Sequence, residues 1–328
     1  MKFLKALQKI ELDQPPPPPS PADNVTSQVE DNKQTSNRAG DLLTDRNLKI
    51  GTPKSEADGQ STSVIDKIHA GPESANIVAT SLDRSELTPF DELRVPEFTV
   101  DTDRINPHLV AITQPQSAFS EEYRSLRTQV LHASQKRRMQ SIVIASVGPG
   151  EGKSVTALNL AWLLAQTDGV KTLLIDGDLR MPSLADYLGF EAKQGLSHVL
   201  EGEISFIDSI VRLQPAGLCL VPGGKVLSDV AELISGHKFI DILHEAREIF
   251  DYVIVDAPPL GVFTDAAILI NDADAALLVM QAGQTSYKDI ERTLETLPRE
   301  KMIGVVLNQS EDFILGNSYY NYRYGKNY

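Results

Sequence analysis

The sequence predicts an α/β fold with a doubly wound, mostly parallel sheet that follows a long disordered N-terminal region. Residues 141–176 have the pattern of a strand, a glycine-rich turn, a helix and a second strand. This is a βαβ unit, which implies parallel strands joined by right-handed crossovers. Further short apolar runs continue the sheet. Residues 13–76 are poor in apolar side chains and bury too little surface to offset the entropy of ordering, which predicts disorder there.

The predicted ordered elements begin with a helix over residues 120–135, in which Ser120 is the expected N-cap. A strand over 141–145 and a helix over 155–166 follow. The other predicted strands cover residues 172–176, 218–221, 252–255, 275–280 and 303–307. These elements place a folded domain at residues 106–310.

The N-terminal region is predicted to contain a short helix and a tether. Residues 1–12 form a basic amphipathic pattern with Phe3, Leu7 and Ile10 on one face. Three turns are not stable alone in water, so this helix is frayed, docked on a partner or lying on an anionic membrane surface. Residues 13–105 are predicted to be a disordered tether, stiffened by the proline run at 15–19.

Composition and charge exclude several classes of function. The 328 residues include 31 basic and 45 acidic side chains, and the net charge of -14 argues against a broad grip on nucleic acid. The single cysteine, Cys219, excludes a disulfide framework and predicts a reducing, cytoplasmic location. No apolar run reaches the roughly 20 residues that a membrane-spanning helix needs, and the first residues lack the pattern of a secretion signal.

The strongest chemical signal is the segment Ser-Val-Gly-Pro-Gly-Glu-Gly-Lys-Ser at residues 146–154, which lies between a strand and a helix. This is the P-loop pattern of nucleotide-binding proteins, although Val147 stands where the consensus has glycine. Its glycines let backbone N–H groups approach phosphate, Lys153 is expected to reach the β- and γ-phosphates, and Ser154 is expected to bind Mg²⁺. The candidate nucleotide contacts here are Gly148, Gly150, Glu151, Gly152, Lys153, Ser154 and Val155.

Carboxylates follow two of the buried strands. Asp176 and Asp178 leave the strand at 172–176, with Arg180 close behind, and Asp256 ends the strand at 252–255. Ligands bind at the carboxyl ends of strands in open α/β sheets. One carboxylate there can hold Mg²⁺ and another can accept the proton of an incoming hydroxyl. We therefore expect a site for ATP and Mg²⁺ at this edge, with Asp176 or Asp178 as the base.

These motifs resemble those of the bacterial tyrosine kinases (BY-kinases) of capsule and exopolysaccharide synthesis, over residues 119–328. The P-loop, hhhDxDxR at 173–180 and hhhDxPP at 253–259 occur in the family's order. The resemblance implies that Asp178 lies near the acceptor hydroxyl, that Ser154, Asp176 and Asp256 surround the metal, and that Arg180 and Asn308 contact the nucleotide. A polar cap at the end of its strand is the alternative for Asn308. It also implies that an ExxRxxR motif makes subunit contacts in a ring, and its residues here are Glu121, Arg124 and Arg127. Read without the family, Glu121 and Arg124 would be an ordinary helical ion pair.

The last residues of the chain, 311–328, are rich in tyrosine and lack an apolar stripe, which predicts an exposed tail. In the family such a cluster is phosphorylated, so the resemblance implies five phosphate acceptors. A docking tail is the alternative. The five tyrosines are Tyr319, Tyr320, Tyr322, Tyr324 and Tyr328.

The resemblance implies an ATP-dependent tyrosine autokinase that phosphorylates this tail in trans and regulates polysaccharide synthesis and export. The implied partners are a separate transmembrane chain-length regulator that activates the kinase, other copies of the chain and a tyrosine phosphatase; nucleic acid is not among them. The enzyme would lie at the inner face of the plasma membrane. The alternatives are a P-loop ATPase switch and an ATP-binding adaptor. The switch proteins carry a second lysine where this sequence has Gly148.

Overall fold

The computed structural model describes residues 89–90 and 93–310. Three predicted features therefore lie outside the described residues: the helix at 1–12, most of the tether, and the tail at 311–328 with its five candidate acceptor tyrosines.

The described residues form one eight-stranded sheet with the order β1-β4-β5-β3-β6-β2-β7-β8. Neighbouring strands are parallel except for β4 and β5, which are antiparallel. The strands are β1 Glu97–Thr99, β2 Ser141–Ser146, β3 Thr172–Asp176, β4 Val211–Gln214, β5 Leu218–Val221, β6 Tyr252–Asp256, β7 Ala275–Gln281 and β8 Met302–Asn308.

Helices cover both faces of the sheet, as a doubly wound fold requires. The α-helices are α1 Val110–Thr113, α2 Ala118–Lys136, α3 Lys153–Ala165, α4 Leu184–Tyr187, α5 Leu196–Glu201, α6 Val230–Ile234, α7 His237–Ile249, α8 Asp265–Asp272 and α9 Tyr287–Glu295. Short 3₁₀ turns lie at Ile207–Ser209 and Arg299–Lys301. The predicted fold class is confirmed.

The alternation of side chains along the central strands builds two cores. In β2, Ile142 and Ile144 pack with α2 and α3 on one face, whereas Val143 and Ala145 pack with α6, α7 and α8 on the other. All residues of β2 are buried. A strand covered on both faces is apolar throughout rather than alternating, which explains the continuous apolar runs in the sequence.

The structure differs from the sequence prediction at the start of the folded region. β1 lies within the predicted tether and pairs in parallel with β4, and Val100 and Ile105 are buried. The helix predicted over residues 120–135 is α2, and it begins earlier than predicted: Ser117 is its N-cap, and the Ser117 hydroxyl accepts the N–H of Ser120 at 3.2 Å. Ser120 is therefore buried inside the first turn instead of capping it.

Candidate nucleotide and phosphoryl-transfer site

The P-loop connects the end of β2 to the start of α3 in the conformation that its glycines allow. Gly150 and Gly152 have φ values of 77° and 92°, a region that side-chain-bearing residues rarely adopt. A Cβ atom on Gly152 would lie 2.1 Å from Nδ2 of Asn308. The hydroxyl of Ser146 donates to the carbonyl oxygen of Gly148 at 2.7 Å. Glycine is therefore required at 152 both by the backbone angle and by the approach of Asn308.

Glu151 braces the loop from within. Its Oε2 atom accepts the backbone N–H of Gly148 at 2.8 Å, and its Oε1 atom accepts the hydroxyl of Thr285, which follows β7. The side chain of Asn308, at the end of β8, donates to the carbonyl oxygen of Glu151 at 2.9 Å. Glu151 is only 6% exposed. The loop is thus held by two neighbouring strands of the sheet as well as by its own backbone.

Lys153 lies at the centre of the carboxylates. Its Nζ atom is 3.0 Å from Oδ2 of Asp178 and 3.7 Å from Oδ2 of Asp256. It also donates to the hydroxyl of Ser154 at 3.2 Å. Asp176 and Asp256 are paired residues at the ends of β3 and β6, which places both carboxylates at one edge of the sheet. All four side chains predicted to be catalytic therefore lie in one cluster.

Burial sets the charge of this cluster. Burial, followed by the charge of Asp256, raises the pKa of Asp176 to about 7, although the N–H groups of Leu184 and Ser183 lower it. Burial also raises the pKa of Asp256 above its ordinary value, against the effect of Lys153. For Lys153 burial lowers the pKa, but the carboxylates of Asp256 and Asp178 outweigh this effect and the pKa rises. Lys153 is therefore charged at neutral pH, while the inner carboxyls bind protons more readily than usual.

The cluster fits a magnesium ion. Oδ1 of Asp176 and both carboxylate oxygens of Asp256 are buried and have no hydrogen-bond partner among the described residues. Unpartnered buried carboxylate oxygens are costly unless a cation is present. Mg²⁺ takes one or two protein carboxylates and fills its remaining positions with water and phosphate oxygens, so Asp176 and Asp256 are enough protein ligands for it.

A cleft of about 1550 Å³ opens beside the P-loop. Lys153, Ser154 and Asp178 line it, whereas Asp176 and Asp256 do not. Its other lining residues come from the P-loop and the start of α3, the region from Pro107 to Ser125, the segment after β3 with Met181, Ser183 and Tyr187, Pro259 after β6, and the end of β8. The P-loop lysine and one carboxylate, Asp178, therefore lie on the wall of a space large enough for a nucleotide and a second substrate, with Asp178 only 6% exposed.

Comparison with known proteins identifies the family. The AAA domain family matches residues 139–305. The tyrosine-protein kinase YwqD of Bacillus subtilis is 37% identical over 207 residues, which are 62% of this chain and 87% of that protein. The tyrosine-protein kinase CpsD of Streptococcus pneumoniae is 35% identical over 192 residues, 58% of this chain and 83% of that protein. This chain belongs to the bacterial tyrosine-protein kinases. The enzyme class predicted from the motifs is confirmed.

Solved structures agree with this assignment. The chimerical protein CapA2B2 aligns with a TM-score of 0.59 at 30% identity, covering 67% of this chain and 96% of that one. The kinase domain of the Escherichia coli tyrosine kinase ETK aligns with a TM-score of 0.59 at 26% identity, covering 63% and 83%. In the part of this kinase that the structure describes, no helix has the length and hydrophobicity needed to cross a membrane.

Two residues that the resemblance assigned to the nucleotide have different surroundings in this kinase. Asn308 lines the cleft, as do Gly150, Gly152 and Val155. Arg180 is instead engaged outside it: its Nε atom is 2.6 Å from Oδ2 of the fully buried Asp265, and its guanidinium lies 4.3 Å from the centre of the Phe263 ring. The arginine of the hhhDxDxR motif thus ties the loop after β3 to α8.

The ExxRxxR residues lie on α2 and bond within the chain. Glu121 and Arg124 form an ion pair, and Arg124 also donates to the carbonyl oxygen of Pro115 at 2.7 Å. Arg127 reaches the carbonyl oxygen of Leu163 at 3.4 Å, and its buried Nε atom has no hydrogen-bond partner among the described residues. Of the three, Glu121 lines the cleft, and its side chain is 65% exposed.

Sequence reasoning missed Thr285 and Asp265. Thr285 contacts Glu151 from 134 positions away, and Asp265 contacts Arg180 from 85 positions away. Neither residue stands in a recognisable motif. Only the folded sheet, which brings the strand ends together, reveals their contacts.

Proposed function

We propose that this kinase transfers the γ-phosphoryl group of ATP to tyrosines of its own tail, presented by a second copy of the chain. The observation that carries the proposal is the contact of Lys153 with Asp178 on the wall of the cleft. An ammonium group and a carboxylate on the wall of one cleft are what charge stabilisation and proton removal from a hydroxyl require.

In the proposed reaction the tyrosine oxygen forms a bond to the γ-phosphorus, and the bond to the oxygen shared with the β-phosphate breaks. The hydroxyl proton passes to a carboxylate, and ADP leaves. Asp178 is our choice of base because it lines the cleft, whereas Asp176 is 1% exposed and accepts the N–H groups of Ser183 and Leu184 at 3.0 and 3.1 Å. Lys153 stabilises the charge of the transferring group.

Ser154, Asp176 and Asp256 would hold Mg²⁺. The hydroxyl of Ser154 lies beside Lys153, Oδ1 of Asp176 has no hydrogen-bond partner among the described residues, and Oδ2 of Asp256 lies 3.7 Å from Nζ of Lys153, beyond hydrogen-bond distance. When bound, the ion neutralises phosphate charge. Arg180 would act on the site indirectly, by fixing the loop that carries Asp178. The residues that would contact the nucleotide are Gly148, Gly150, Gly152, Val155 and Asn308.

The test is the intact mass of the chain after incubation with Mg-ATP. We expect several additions of one phosphate on the wild type, none on Lys153→Met and few on a variant that lacks residues 317–328. Lys193→Met, which changes an exposed lysine away from the cleft, is the matched control and should behave as wild type. Wild-type chain that binds ATP but gains no phosphate, even with a membrane activator added, would contradict the proposal and favour an ATPase switch.

The wider role that we propose is regulation of capsule or exopolysaccharide synthesis and export from the cytoplasmic face of the membrane. A transmembrane chain-length regulator would bind residues 1–12 of the kinase and activate it. A phosphatase would remove the phosphate from the tail. Deletion of residues 1–12 should therefore abolish recruitment to membranes that contain the regulator. Recruitment that survives the deletion would remove this docking role.

We also propose a ring of subunits that tail phosphorylation loosens. The carboxylate of Glu121 pairs with Arg124 but its side chain is 65% exposed at the cleft, so a neighbouring subunit can still reach it. Five phosphates of about -1.5 to -2 charges each would make the tail strongly acidic, against a chain whose net charge is already -14. Light scattering should show a smaller oligomer after phosphorylation. An unchanged oligomer size would refute the loosening.

A further inference from the structure

An exposed apolar surface lies at the carboxyl edge of the sheet, beside the phosphoryl-transfer site. Among the described residues six large hydrophobic side chains are exposed, and four of them lie in three loops at this edge. We call these four side chains the edge patch: Met181, 75% exposed, follows β3; Val226, 69%, follows β5; Val262, 54%, and Phe263, 37%, follow β6.

Contacts between the loops hold the patch together. Strands β5, β3 and β6 are neighbours and run parallel, so their carboxyl ends meet. The N–H of Leu227 donates to the carbonyl oxygen of Leu179 at 3.0 Å, and the guanidinium of Arg180 donates to the carbonyl oxygen of Ser228 at 3.0 Å. The same guanidinium stacks on Phe263. The patch is therefore one surface built around Arg180.

The patch continues into the catalytic cleft. Met181 lines the cleft, and its N–H donates to the carboxylate of Asp178 at 3.2 Å. Ser310, the last described residue, lines the same cleft. The chain outside the structure thus starts at this cleft and continues for residues 311–328, which could extend about 60 Å. The tail of another copy is long enough to cross from one cleft to a neighbouring patch.

The charges around the patch favour a basic aromatic segment. The exposed Asp229 lies near Arg180, whose own charge is balanced by Asp265, and the nearby Asp178 is paired with Lys153. Lys225 is paired with Glu201 and Glu203. Residues 317–328 carry five tyrosines, one arginine and one lysine and no acidic residue. Tyrosine rings supply large apolar area and a polar tip, which suits a surface that is apolar at its centre and acidic at its rim.

We propose that the edge patch binds residues 317–328 of a second copy, so that one tyrosine enters the cleft while its neighbours pack on Met181, Val226 and Val262. This inference rests on the proposed function and adds a substrate-docking surface to it. A cluster of tyrosines, rather than a single one, then serves both as substrate and as docking segment.

The test measures binding of a fluorescent peptide of residues 317–328 by anisotropy. The protein is the full chain with its own five tail tyrosines changed to serine, so that its tail does not compete. The changed chain combines Met181→Ser, Val226→Ser and Val262→Ser, and the matched control is Tyr287→Ser, which changes a 58% exposed aromatic residue on α9. We expect binding about tenfold weaker in the triple variant and unchanged in the control. Equal affinity for both would overturn the proposal.

Two further arms distinguish docking on the patch from attraction by charge and from contact between subunits. A peptide with serine in place of every tyrosine keeps both basic residues, and equal binding of this peptide would show that charge alone attracts the tail, which would overturn docking on the patch. If the triple variant does not fold, a photo-crosslinking amino acid at position 262 of the otherwise unchanged chain should link to the peptide. Links only to the body of a second copy would overturn tail docking and reassign the patch as a subunit interface.

The same experiment distinguishes failure of this inference from failure of the proposed function. Phosphate transfer to the peptide is measured in parallel. Peptide that binds through the patch but gains no phosphate refutes the kinase reaction on the tail and leaves the docking surface. Peptide that is phosphorylated equally by the triple variant and the control, with the same KM, refutes the docking surface and leaves the kinase reaction.

Discussion

Replacement of Gly152 by alanine tests how closely the P-loop is built against Asn308. The residue has a φ of 92°, and a Cβ atom would come within 2.1 Å of Nδ2 of Asn308. Asn308 can move only by giving up its hydrogen bond to the carbonyl oxygen of Glu151. We therefore expect two separate penalties, one from the backbone angle and one from the lost hydrogen bond.

The magnitudes follow from the two causes. A side chain at positive φ costs about 1–2 kcal/mol, of which about 0.4–1 kcal/mol is offset because alanine restricts the unfolded chain. The lost hydrogen bond adds about 1 kcal/mol. Gly169→Ala is the matched control, because its φ is 72° and nothing lies within 4 Å of the added carbon. Gly152→Ala should thus lower the free energy of unfolding by about 1 kcal/mol more than Gly169→Ala does.

A double-mutant cycle in urea makes the test specific. Asn308→Ala alone removes the hydrogen bond and should cost about 1 kcal/mol. If the clash acts through Asn308, adding Asn308→Ala to Gly152→Ala should cost almost nothing more, which gives a coupling energy of about 1 kcal/mol. Additive losses from the two substitutions would refute the close contact between Asn308 and the loop.

Three other predictions concern residues that hold the site and the domain. Thr285→Val should weaken ATP binding severalfold, because Glu151 loses the hydroxyl that donates to it and no longer holds the P-loop. Thr285→Ser keeps the hydroxyl and should bind ATP as the wild type does. Equal ATP affinity of the two variants in calorimetry would show that Thr285 does not support the loop. Asp274→Ala should destabilise the fold by about 2 kcal/mol, because the N–H groups of Gln140 and Ser141 lose their acceptor. Although burial raises the pKa of Asp274, the N–H groups and Arg247 lower it below its ordinary value, so its contribution is complete above about pH 5 and disappears as the pH falls through the folded-state pKa. Urea titrations of wild type and variant should therefore show the same difference in the free energy of unfolding from pH 8 to 5, and the difference should shrink as the pH falls through the folded-state pKa of Asp274. A difference that grows in acid would contradict the lowered pKa. Finally, a chain that starts at residue 106 should be less stable than one that starts at 89 by about 3 kcal/mol or more, because it lacks β1 and the buried Val100 and Ile105. Equal unfolding midpoints of the two chains would support the start of the folded domain at residue 106 that the sequence predicts.

The central strands were predictable because they are buried on both faces. The predicted and observed bounds agree at Thr172–Asp176 and Leu218–Val221, where every residue is buried. The short apolar runs at these strands show no helical periodicity that would favour a helix instead. β1 and β4 were missed. β1 has only three residues with exposed ends, and β4 is half-buried. Their pairing depends on partners far along the chain, which local periodicity does not contain.

Some residues of the site could be placed from the sequence and others could not. The P-loop and the strand-end aspartates could be placed because one strand, one turn and one helix fix their positions locally. The orientation of Arg180 could not be predicted, because it depends on Asp265 and Phe263, which contact Arg180 only after the loops following β3 and β6 meet. Motif spacing locates a residue on the chain, whereas the direction of a long side chain is decided by the groups that fold against it.

The carboxylate cluster is short of positive charge. Lys153 faces Asp176, Asp178 and Asp256, so a single ammonium group stands against three carboxyl groups, two of them almost fully buried. Burial without enough positive charge is what raises the pKa of Asp176 to about 7 and that of Asp256 above its ordinary value. Short hydrogen bonds do not correct the imbalance, because three of the buried oxygens have no hydrogen-bond partner among the described residues and Lys153 acts on Asp256 only from 3.7 Å. A divalent cation beside Ser154 would correct it and hold both carboxyls in the ionised form. The same imbalance therefore accounts for the perturbed pKa values and for the fit of the site to magnesium.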